Sequence, residues 1–273
     1  MDTTKKVKSA QRSYDGTMMG DRFKRAEKVF ESHLIRRMPV IIRVDGNCFH
    51  TFTKRFFGKK YSGDFVNLMK DTAMRVCQKI QGCKLAYLQG DEVSFLLTDY
   101  ETLETDCWFS YDVNKLVSIS ASMFAAYFNT FMFEYIVGKC PTDRKYGYLD
   151  ENKNFHAWFD SRAFNLTKEE VCNYFVWRQI DWLRNTTCMW SREYFSHKEL
   201  NHVTCKQMQE MMFQKTGINF DKLPVQQKRG ICIYKEYTKD LDIEWKVDRE
   251  PPQFTKDRNY IEKYIYLDEN DKK

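Results

Sequence analysis

The sequence predicts an α+β fold in which an antiparallel β-sheet carries helices on one face. The first apolar run, "MPVIIRVD" at residues 38–45, precedes a glycine and has the length of a buried strand. Two further runs, 83–89 and 92–98, meet at Gly90 and Asp91 in a short link typical of a hairpin. Helix-spaced apolar residues lie between these strands, so the element order is the split arrangement β-α-β-β-α-β.

The two helices and the last strand of this order follow from local patterns. Ser62 is a candidate N-cap for a helix with one continuous apolar stripe. The stripe consists of Phe65, Leu68, Met69, Thr72, Val76 and Ile80. A second, more apolar helix is predicted over about 117–137, and "FHAWFDSRAFNL" at 155–166 is the candidate for the last strand.

The C-terminal part of the chain has a different, mainly helical pattern. Thr167 and Glu170 have the spacing of a capping box and predict the start of a long helix. A further helix is predicted over 204–215, and Pro251-Pro252 predicts an extended tail over the body. The predicted organisation is therefore a basic N-terminal segment, a catalytic core and a mostly helical region packed on it, at residues 1–35, 36–166 and 167–273.

Composition excludes several classes of protein. A hydrophobic content of 42% rules out a wholly disordered chain. The nine cysteines include no C-x-x-C pair, and the first residues have no apolar stretch typical of a signal peptide. The most hydrophobic stretch, 119–137, is interrupted by polar residues, so it lacks the ~18 uninterrupted apolar residues that a membrane span needs. We therefore expect a cytoplasmic protein without disulfides and without a membrane partner.

Positive charge is concentrated near the N-terminus. Residues 1–60 contain 15 Lys or Arg and 6 Asp or Glu, whereas the remaining 213 residues contain 29 and 32. A solvated surface explains any single basic pair. The whole asymmetry is equally compatible with a polyanionic partner such as RNA or nucleotide phosphate.

Two aspartates occupy the ends of predicted strands. Asp45 ends the first strand and Asp91 stands at the hairpin turn, and the split arrangement brings these positions to one edge of the sheet. Adjacent carboxylates repel each other unless a cation lies between them. Two Mg²⁺ ions shared by the aspartates could clamp an in-line phosphoryl displacement. The alternative is that Asp-Gly and Gly-Asp are only common turn dipeptides. Glu92 is either a supporting residue or an exposed one.

The residues around Asp45 include groups that suit a triphosphate. The turn "GNCFH", residues 46–50, can present successive backbone N–H groups to an anion. Arg43 leads into this turn, and Lys59 and Lys60 follow on the next loop. No P-loop sequence is present, so the prediction depends on the proximity of these groups to Asp45.

The long C-terminal helix has a polar face. Arg178, Asp181 and Asn185 are spaced three and four residues apart, so they share one side of the helix. The pattern is compatible with a solvated stripe containing an ordinary ion pair. It is equally compatible with a face that contacts phosphate or bases.

Four motifs occur in the order found in the tRNA-His guanylyltransferase superfamily, which the chain resembles from about residue 20 onward. They are "IIRVDGNCFHTF", "YLQGDEVSFLL", "FDSRAFNL" and "WRQIDWLRN". The last motif, with "FSHKEL" and "LPVQQKRG", resembles the branch called tRNA-His guanylyltransferase-like proteins. The resemblance implies a ferredoxin-like, polymerase-palm domain that binds two Mg²⁺ ions and extends RNA in the 3′–5′ direction.

The resemblance also implies roles for individual residues. Metal ligation falls on Asp45, the carbonyl of Gly46, and Asp91, with Glu92 beside them at the catalytic centre. Contacts to ATP or GTP fall on ten residues of the motifs and the loop between them: Asp45, Gly46, Asn47, Cys48, Phe49, His50, Lys60, Gly90, Asp91 and Asn185. Arg43 is a further candidate because it leads into the turn. Arg178 and Arg184 are weaker candidates for RNA contact. The implied partners are NTPs and a tRNA or other structured RNA with a recessed 5′ end, and relatives suggest a homotetramer.

Departures from the family pattern bear on the substrate. The hairpin reads Gly90, Asp91, Glu92 where the family has serine first, and residues 183–186 read Leu-Arg-Asn-Thr in place of His-Ile-Asn-Asn. These differences favour templated repair of 5′-truncated tRNA over obligatory addition of a non-templated G. Two alternatives stay open: a nucleotidyl cyclase on the same palm, and a non-catalytic RNA-binding module.

Overall fold

The computed structural model describes residues 18–58, 62–139, 155–237 and 243–267. Its strands are β1 Val40–Gly46, β2 Cys83–Gln89, β3 Glu92–Leu97, β4 Phe159–Asn165, β5 Ile231–Tyr237 and β6 Ile243–Asp248. Its α-helices are α1 Met19–Lys28, α2 Phe49–Phe57, α3 Gly63–Cys77, α4 Val113–Lys139, α5 Lys168–Ser191, α6 Cys205–Thr216, α7 Val225–Arg229 and α8 Asn259–Glu262. Short 3₁₀ turns cover Trp108–Tyr111 and Phe220–Lys222.

The six strands form one antiparallel sheet in the order β4-β1-β3-β2-β5-β6. The first strand lies beside the hairpin strand β3, as the element order predicts. Asp45 is paired with Glu92 of β3 on one side and with Asp160 of β4 on the other. Directly opposed residues of an antiparallel pair share a face of the sheet, so three carboxylates lie side by side across three strands.

Helices α3 and α4 cover one face of the sheet. The buried stripe of α4 recurs every four residues, as a helix packed on a sheet requires. It consists of Leu116, Ser120, Phe124, Phe128, Met132 and Ile136. By length and composition α4 could cross a membrane, but this stripe packs into the same cluster as Val40, Ile42 and Val44 of β1. Helix α4 is therefore part of the core.

Helix α5 covers the opposite face. Val171 and Phe175 are fully buried in a second cluster with Ile41 of β1 and Leu96 of β3. The predicted placement of helices on one face therefore applies to α3 and α4 alone, because the sheet has a helix on each side. Strand residues that alternate in direction fill both layers, which explains why the strands have near-continuous apolar runs.

The C-terminal region also extends the sheet. Strand β5 pairs with β2, and β6 pairs with β5, so the region predicted to be mostly helical also contains two strands. Gly230 permits the close approach of β5, since a Cβ there would lie 2.5 Å from the carbonyl oxygen of Leu88. Phe254 follows Pro251-Pro252 and is fully buried, so the tail does pack over the body.

The predicted capping box at the start of α5 is not formed. Thr167 stands at the N-cap position, but its side chain accepts no capping hydrogen bond. The motif occurs instead at α6, where the side chains of Thr204 and Gln207 each accept from the other residue's backbone N–H. The prediction of where α5 begins was therefore correct, although the expected contact was wrong.

Candidate active site

The predicted carboxylates do meet at one edge of the sheet. The backbone N–H of Gly46 donates a 3.1 Å hydrogen bond to the carbonyl of Asp91, which ties the end of β1 to the β2–β3 turn. The backbone N–H of Asn47 donates a 2.8 Å hydrogen bond to the carbonyl of Trp158, which lies just before β4. Asp45 and Asp91 are thus placed by backbone contacts to neighbouring elements on both sides.

Among the described residues, no basic side chain forms an ion pair with Asp45 or Asp91. Burial, followed by the charge of Asp45, raises the pKa of Asp91 to about 6. Burial also raises the pKa of Asp45, with a further contribution from Asp160, and the more distant Arg43 and Arg162 only partly oppose these effects. Within the described residues neither carboxylate is in an ion pair. Two buried acids without a counter-charge favour binding of an external cation.

Glu92 has a different environment. Its Oε2 lies 3.9 Å from Nε of Arg43, and its Oε1 lies 3.1 Å from Nε of Arg178. Burial nevertheless raises its pKa to about 7, because desolvation outweighs the two guanidinium groups. Neither Nε has hydrogen-bond geometry, so these contacts are electrostatic. Glu92 therefore points toward α5 and is held there.

The turn after β1 leads directly into a helix N-terminus. Cys48 has the left-handed φ of 57° and is the N-cap of α2, so Phe49 and His50 are the first helical residues. Their amide groups have no intrahelical partner, which makes this end of α2 suitable for phosphate. Gly46 is required by packing, because a Cβ there would lie 2.3 Å from the ring of Phe49. The predicted nucleotide-binding turn therefore has the backbone form that the prediction needs.

A cavity of about 210 Å³ adjoins this turn. Its polar lining includes His50, Asp91 and Arg192, and its apolar lining includes Phe49 and Trp182. Gly90 also lines it. Four of these, Phe49, His50, Gly90 and Asp91, are nucleotide-binding candidates predicted from the sequence, whereas Trp182 and Arg192 were not predicted. Nothing local marks those two residues, because they reach the cavity from two different turns of α5.

The polar face of α5 is organised around Asp181. The Oδ2 atom of Asp181 accepts hydrogen bonds from Arg178 at 2.6 Å and from the side-chain amide of Asn185 at 3.3 Å. Its Oδ1 atom lies 3.3 Å from the guanidinium of Arg184. Arg178 is only 5% exposed, and its charge is matched by Glu92 and Asp181. This burial argues against the predicted RNA contact of Arg178, whereas Arg184 is exposed and keeps that prediction. Lys60 lies outside the described residues.

Two further charged residues at this edge were not predicted as site residues. Asp160 and Arg162 of β4 face Asp45 and Arg43 in register, and their own side chains lie 3.8 Å apart. The motif "FDSRAFNL" contains both residues, but its register against β1 could not be read from the sequence. Both side chains are more than half exposed.

One group of potential metal ligands lies elsewhere. Within the described part of the chain, Glu31, His33 and Asp112 have ligand atoms within 4.8 Å of one another. The ring of His33 already contacts Glu31 at 3.0 Å and the carbonyl of Ser110 at 3.1 Å. Because this group is exposed and internally paired, it is a weaker site than Asp45 and Asp91.

Paired acidic oxygens beside a helix N-terminus form the kind of site that nucleotidyl transfer from a triphosphate requires. Residues 20–167 match the family model described as "tRNAHis guanylyltransferase". The chain belongs to this family and is a nucleotidyltransferase of tRNA processing.

Solved structures agree with this assignment. A bacterial tRNA(His) guanylyltransferase (Thg1)-like protein in complex with ATP is 41% identical, covers 92% of this chain and all of its own, and superposes with a TM-score of 0.80. Another such structure, in complex with GTP, is 37% identical, covers 91% of this chain and all of its own, with a TM-score of 0.71. The six-stranded antiparallel sheet is thus a feature shared with Thg1-like structures.

Sequence relatives are more distant. The tRNA(His) guanylyltransferase of Saccharomyces cerevisiae is 26% identical over 76% of this chain and 87% of its own. The uncharacterized protein R259 of Acanthamoeba polyphaga mimivirus is 26% identical over 82% of this chain and 80% of its own.

Proposed function

We propose that this protein adds nucleotides in the 3′–5′ direction to the 5′ end of a tRNA whose 5′ end is recessed, using the opposite strand as template. The observation that carries the proposal is the pair Asp45 and Asp91 beside a cavity at a helix N-terminus. Asp45 is about half-buried, Asp91 is more deeply buried, and neither forms an ion pair with a described residue. ATP and GTP are the proposed substrates, in line with the nucleotides named for two similar structures.

The donor set fits Mg²⁺. Asp45, the backbone carbonyl of Gly46, and Asp91 offer only hard oxygen ligands, which is the chemistry that Mg²⁺ prefers. We assign two Mg²⁺ ions to these residues, on a sheet that we interpret as a polymerase-like palm. When bound, the ions would activate the 3′-hydroxyl of the incoming nucleotide and neutralise the leaving pyrophosphate.

The chain's own residues would position the triphosphate. The free amide groups at Phe49 and His50 point the positive end of α2 toward phosphate oxygens. Arg192 reaches the same cavity, and Lys60 is assigned to the triphosphate by the resemblance. Arg43 stays beside Glu92 and holds that carboxylate toward α5. No protein nucleophile is needed, because the 3′-hydroxyl of the incoming nucleotide is the attacking group. An RNA with a 5′-monophosphate end would first be activated with ATP or GTP.

Repair of truncated tRNA is the favoured role. Gly90 replaces the serine of the tRNA-His enzymes and leaves one hydroxyl contact fewer, and Leu183 and Arg184 replace their His-Ile pair. The exposed Arg184 is available to an RNA backbone. A tetrameric assembly, proposed from the family resemblance alone, and a cytoplasmic location, proposed from the composition, complete the proposal.

A 5′-extension assay tests this function. The purified protein is incubated with Mg²⁺, NTPs and a tRNA lacking its first 5′ nucleotide, and product length is read on a sequencing gel. Addition of the nucleotide that pairs with the 3′ side of the stem supports templated 3′–5′ polymerisation. Addition of G whatever the opposing base would assign non-templated activity instead.

The same assay separates the two alternatives. A cyclic nucleotide formed from NTP alone, without RNA extension, would indicate a cyclase. RNA binding that persists without any chemistry would indicate a binding module. Salt gives an independent check, because RNA binding weakens steeply as salt rises and binding of a lone NTP does not.

A further inference from the structure

Helix α5 contacts the β2–β3 turn on both sides of Asp91. Arg178 of α5 pairs with Glu92 at 3.1 Å, and Trp182, one helical turn later, packs on Gly90. Residues four apart lie on the same face of a helix, so one face of α5 holds the residue before Asp91 and the residue after it. Asp91 itself is the middle residue of this three-residue contact.

The contact between Trp182 and Gly90 is tight. A Cβ on Gly90 would lie 3.0 Å from Cζ3 and 3.4 Å from Cη2 of the indole ring, so no larger residue fits there without a shift. Gly90 also has a φ of +59°, which favours glycine. Trp182 is 7% exposed and fixed among the buried residues of α5. The backbone of the turn therefore cannot move toward α5.

Asp91 needs such a support. Its carboxylate is close enough to Asp45 for mutual repulsion, and no basic side chain among the described residues offsets it. Without a rigid backbone, the turn could rotate the carboxylate away from Asp45 toward water. Functional groups keep their geometry when the residues behind them are locked by packing.

We propose that Trp182 is a positioning residue that holds the β2–β3 turn, through Gly90, so that the carboxylate of Asp91 stays beside that of Asp45 for divalent metal binding. This inference rests on the proposed function for its metal site, but it adds a role for a residue outside that site. It also explains why position 90 is glycine here and serine in the family pattern: the indole ring occupies the space that a serine side chain would need.

The test compares two tryptophans of the same helix. Trp182→Leu removes the ring from the turn, and Trp190→Leu is the matched control, since Trp190 does not line the cavity beside Asp91. Mn²⁺ binding is measured by calorimetry without nucleotide, together with thermal unfolding, kcat and KM for NTP. We expect Trp182→Leu to weaken Mn²⁺ binding about tenfold and lower kcat with little change in KM, and Trp190→Leu to leave Mn²⁺ affinity unchanged.

A second pair of variants keeps the proposal testable if Trp182→Leu unfolds. Trp182→Phe keeps an aromatic ring of smaller size, and Gly90→Ala adds one methyl group against it. We expect Gly90→Ala to weaken Mn²⁺ binding severalfold in the native background and less in the Trp182→Phe background, because the two residues are coupled. Equal losses in both backgrounds would overturn the proposal, as would a folded Trp182→Leu protein with native Mn²⁺ affinity.

The metal readout separates this inference from the proposed function. If the native protein binds no Mn²⁺, the metal assignment at Asp45 and Asp91 is wrong. If the native protein and Trp182→Leu bind Mn²⁺ equally well, the metal site stands and only the role of Trp182 is wrong. If Mn²⁺ binding follows this expectation but no RNA is extended, the positioning role stands while the proposed reaction fails.

Discussion

Two groups of carboxylates meet near the β2–β3 turn and have different partners in the fold. Asp45 lies near the end of β1 and Asp91 lies in the β2–β3 turn. Neither forms an ion pair with a described residue. Glu92 and Asp181 share the buried guanidinium of Arg178. The second group is paired with arginines of the protein, whereas the first has no ion-pair partner among the described residues.

This difference indicates how the site is built. Desolvation of a carboxylate is costly unless a cation lies nearby. Arg43 and Arg178 lie beside Glu92, but no described arginine forms an ion pair with the neighbouring Asp91. At the proposed metal site, no ion pair with a described side chain competes with an incoming cation for Asp45 and Asp91. The paired group next to it fixes α5 against the turn and so preserves the geometry of the first.

Removing one acid from the uncompensated pair should have the largest effect. We expect Asp91→Ala to lower the rate of nucleotide addition by on the order of 10³-fold, because metal-based charge stabilisation is worth several kcal/mol. The protein should stay folded, since Asp91 makes no ion pair. Single-turnover 5′-extension and circular dichroism measure the two expectations; rapid product formation by the variant would contradict the assignment.

Removing the shared cation of the compensated group should affect stability first. We expect Arg178→Met to lower the free energy of unfolding by about 3 kcal/mol, because Glu92 and Asp181 lose a buried partner. Arg184→Met is the control: Arg184 also pairs with Asp181 but is exposed, so its loss should cost at most about 1 kcal/mol. Urea unfolding measures both, and equal costs would erase the contrast between a buried and an exposed pair.

The pH dependence of stability should identify the uncompensated acid. The pKa of Asp91 is raised in the folded state to about 6, so between about pH 4 and pH 6 the folded state binds more protons than the unfolded state. Its contribution therefore lowers stability as pH rises, by about 3 kcal/mol in total. In EDTA, Asp91→Asn should unfold about 5 °C higher than the native protein at pH 7.5 and gain little at pH 4.5. A gain that does not depend on pH would mean that Asp91 is not buried as a charged group.

The smallest effect expected is on nucleotide use. Lys60→Ala should raise KM for NTP by about tenfold, the size of one charge-assisted contact to phosphate, and should leave Mn²⁺ binding unchanged. Lys54→Ala serves as a matched control on α2. Unchanged nucleotide dependence in the Lys60 variant would mean that this lysine does not reach the triphosphate.

Local patterns in the sequence were sufficient to predict the first half of the fold. The strands at 38–45 and 83–98 and the helix stripe from Phe65 to Ile80 depend on periodicity within one element, and the structure confirms them. The meeting of Asp45 and Asp91 followed from element order, because the split arrangement places β1 beside β3.

The remainder depends on contacts between distant parts of the chain. Strands β5 and β6 were missed because "ICIYKEY" has no clear alternation and becomes a strand by pairing with β2. Arg178 was read as a possible RNA contact because spacing on a helix does not show which side is buried. Trp182 acquires its role because α5 packs on the β2–β3 turn, and Asp160 because β4 pairs with β1. Neither contact can be read from a single sequence.

Anomalous scattering from crystals grown with Mn²⁺ and a non-hydrolysable NTP would locate the metal ions themselves. We expect Mn²⁺ peaks in contact with the carboxylates of Asp45 and Asp91, and their loss in crystals of Asp91→Ala. Occupancy at Glu31, His33 and Asp112 with no peak beside Asp45 would contradict it.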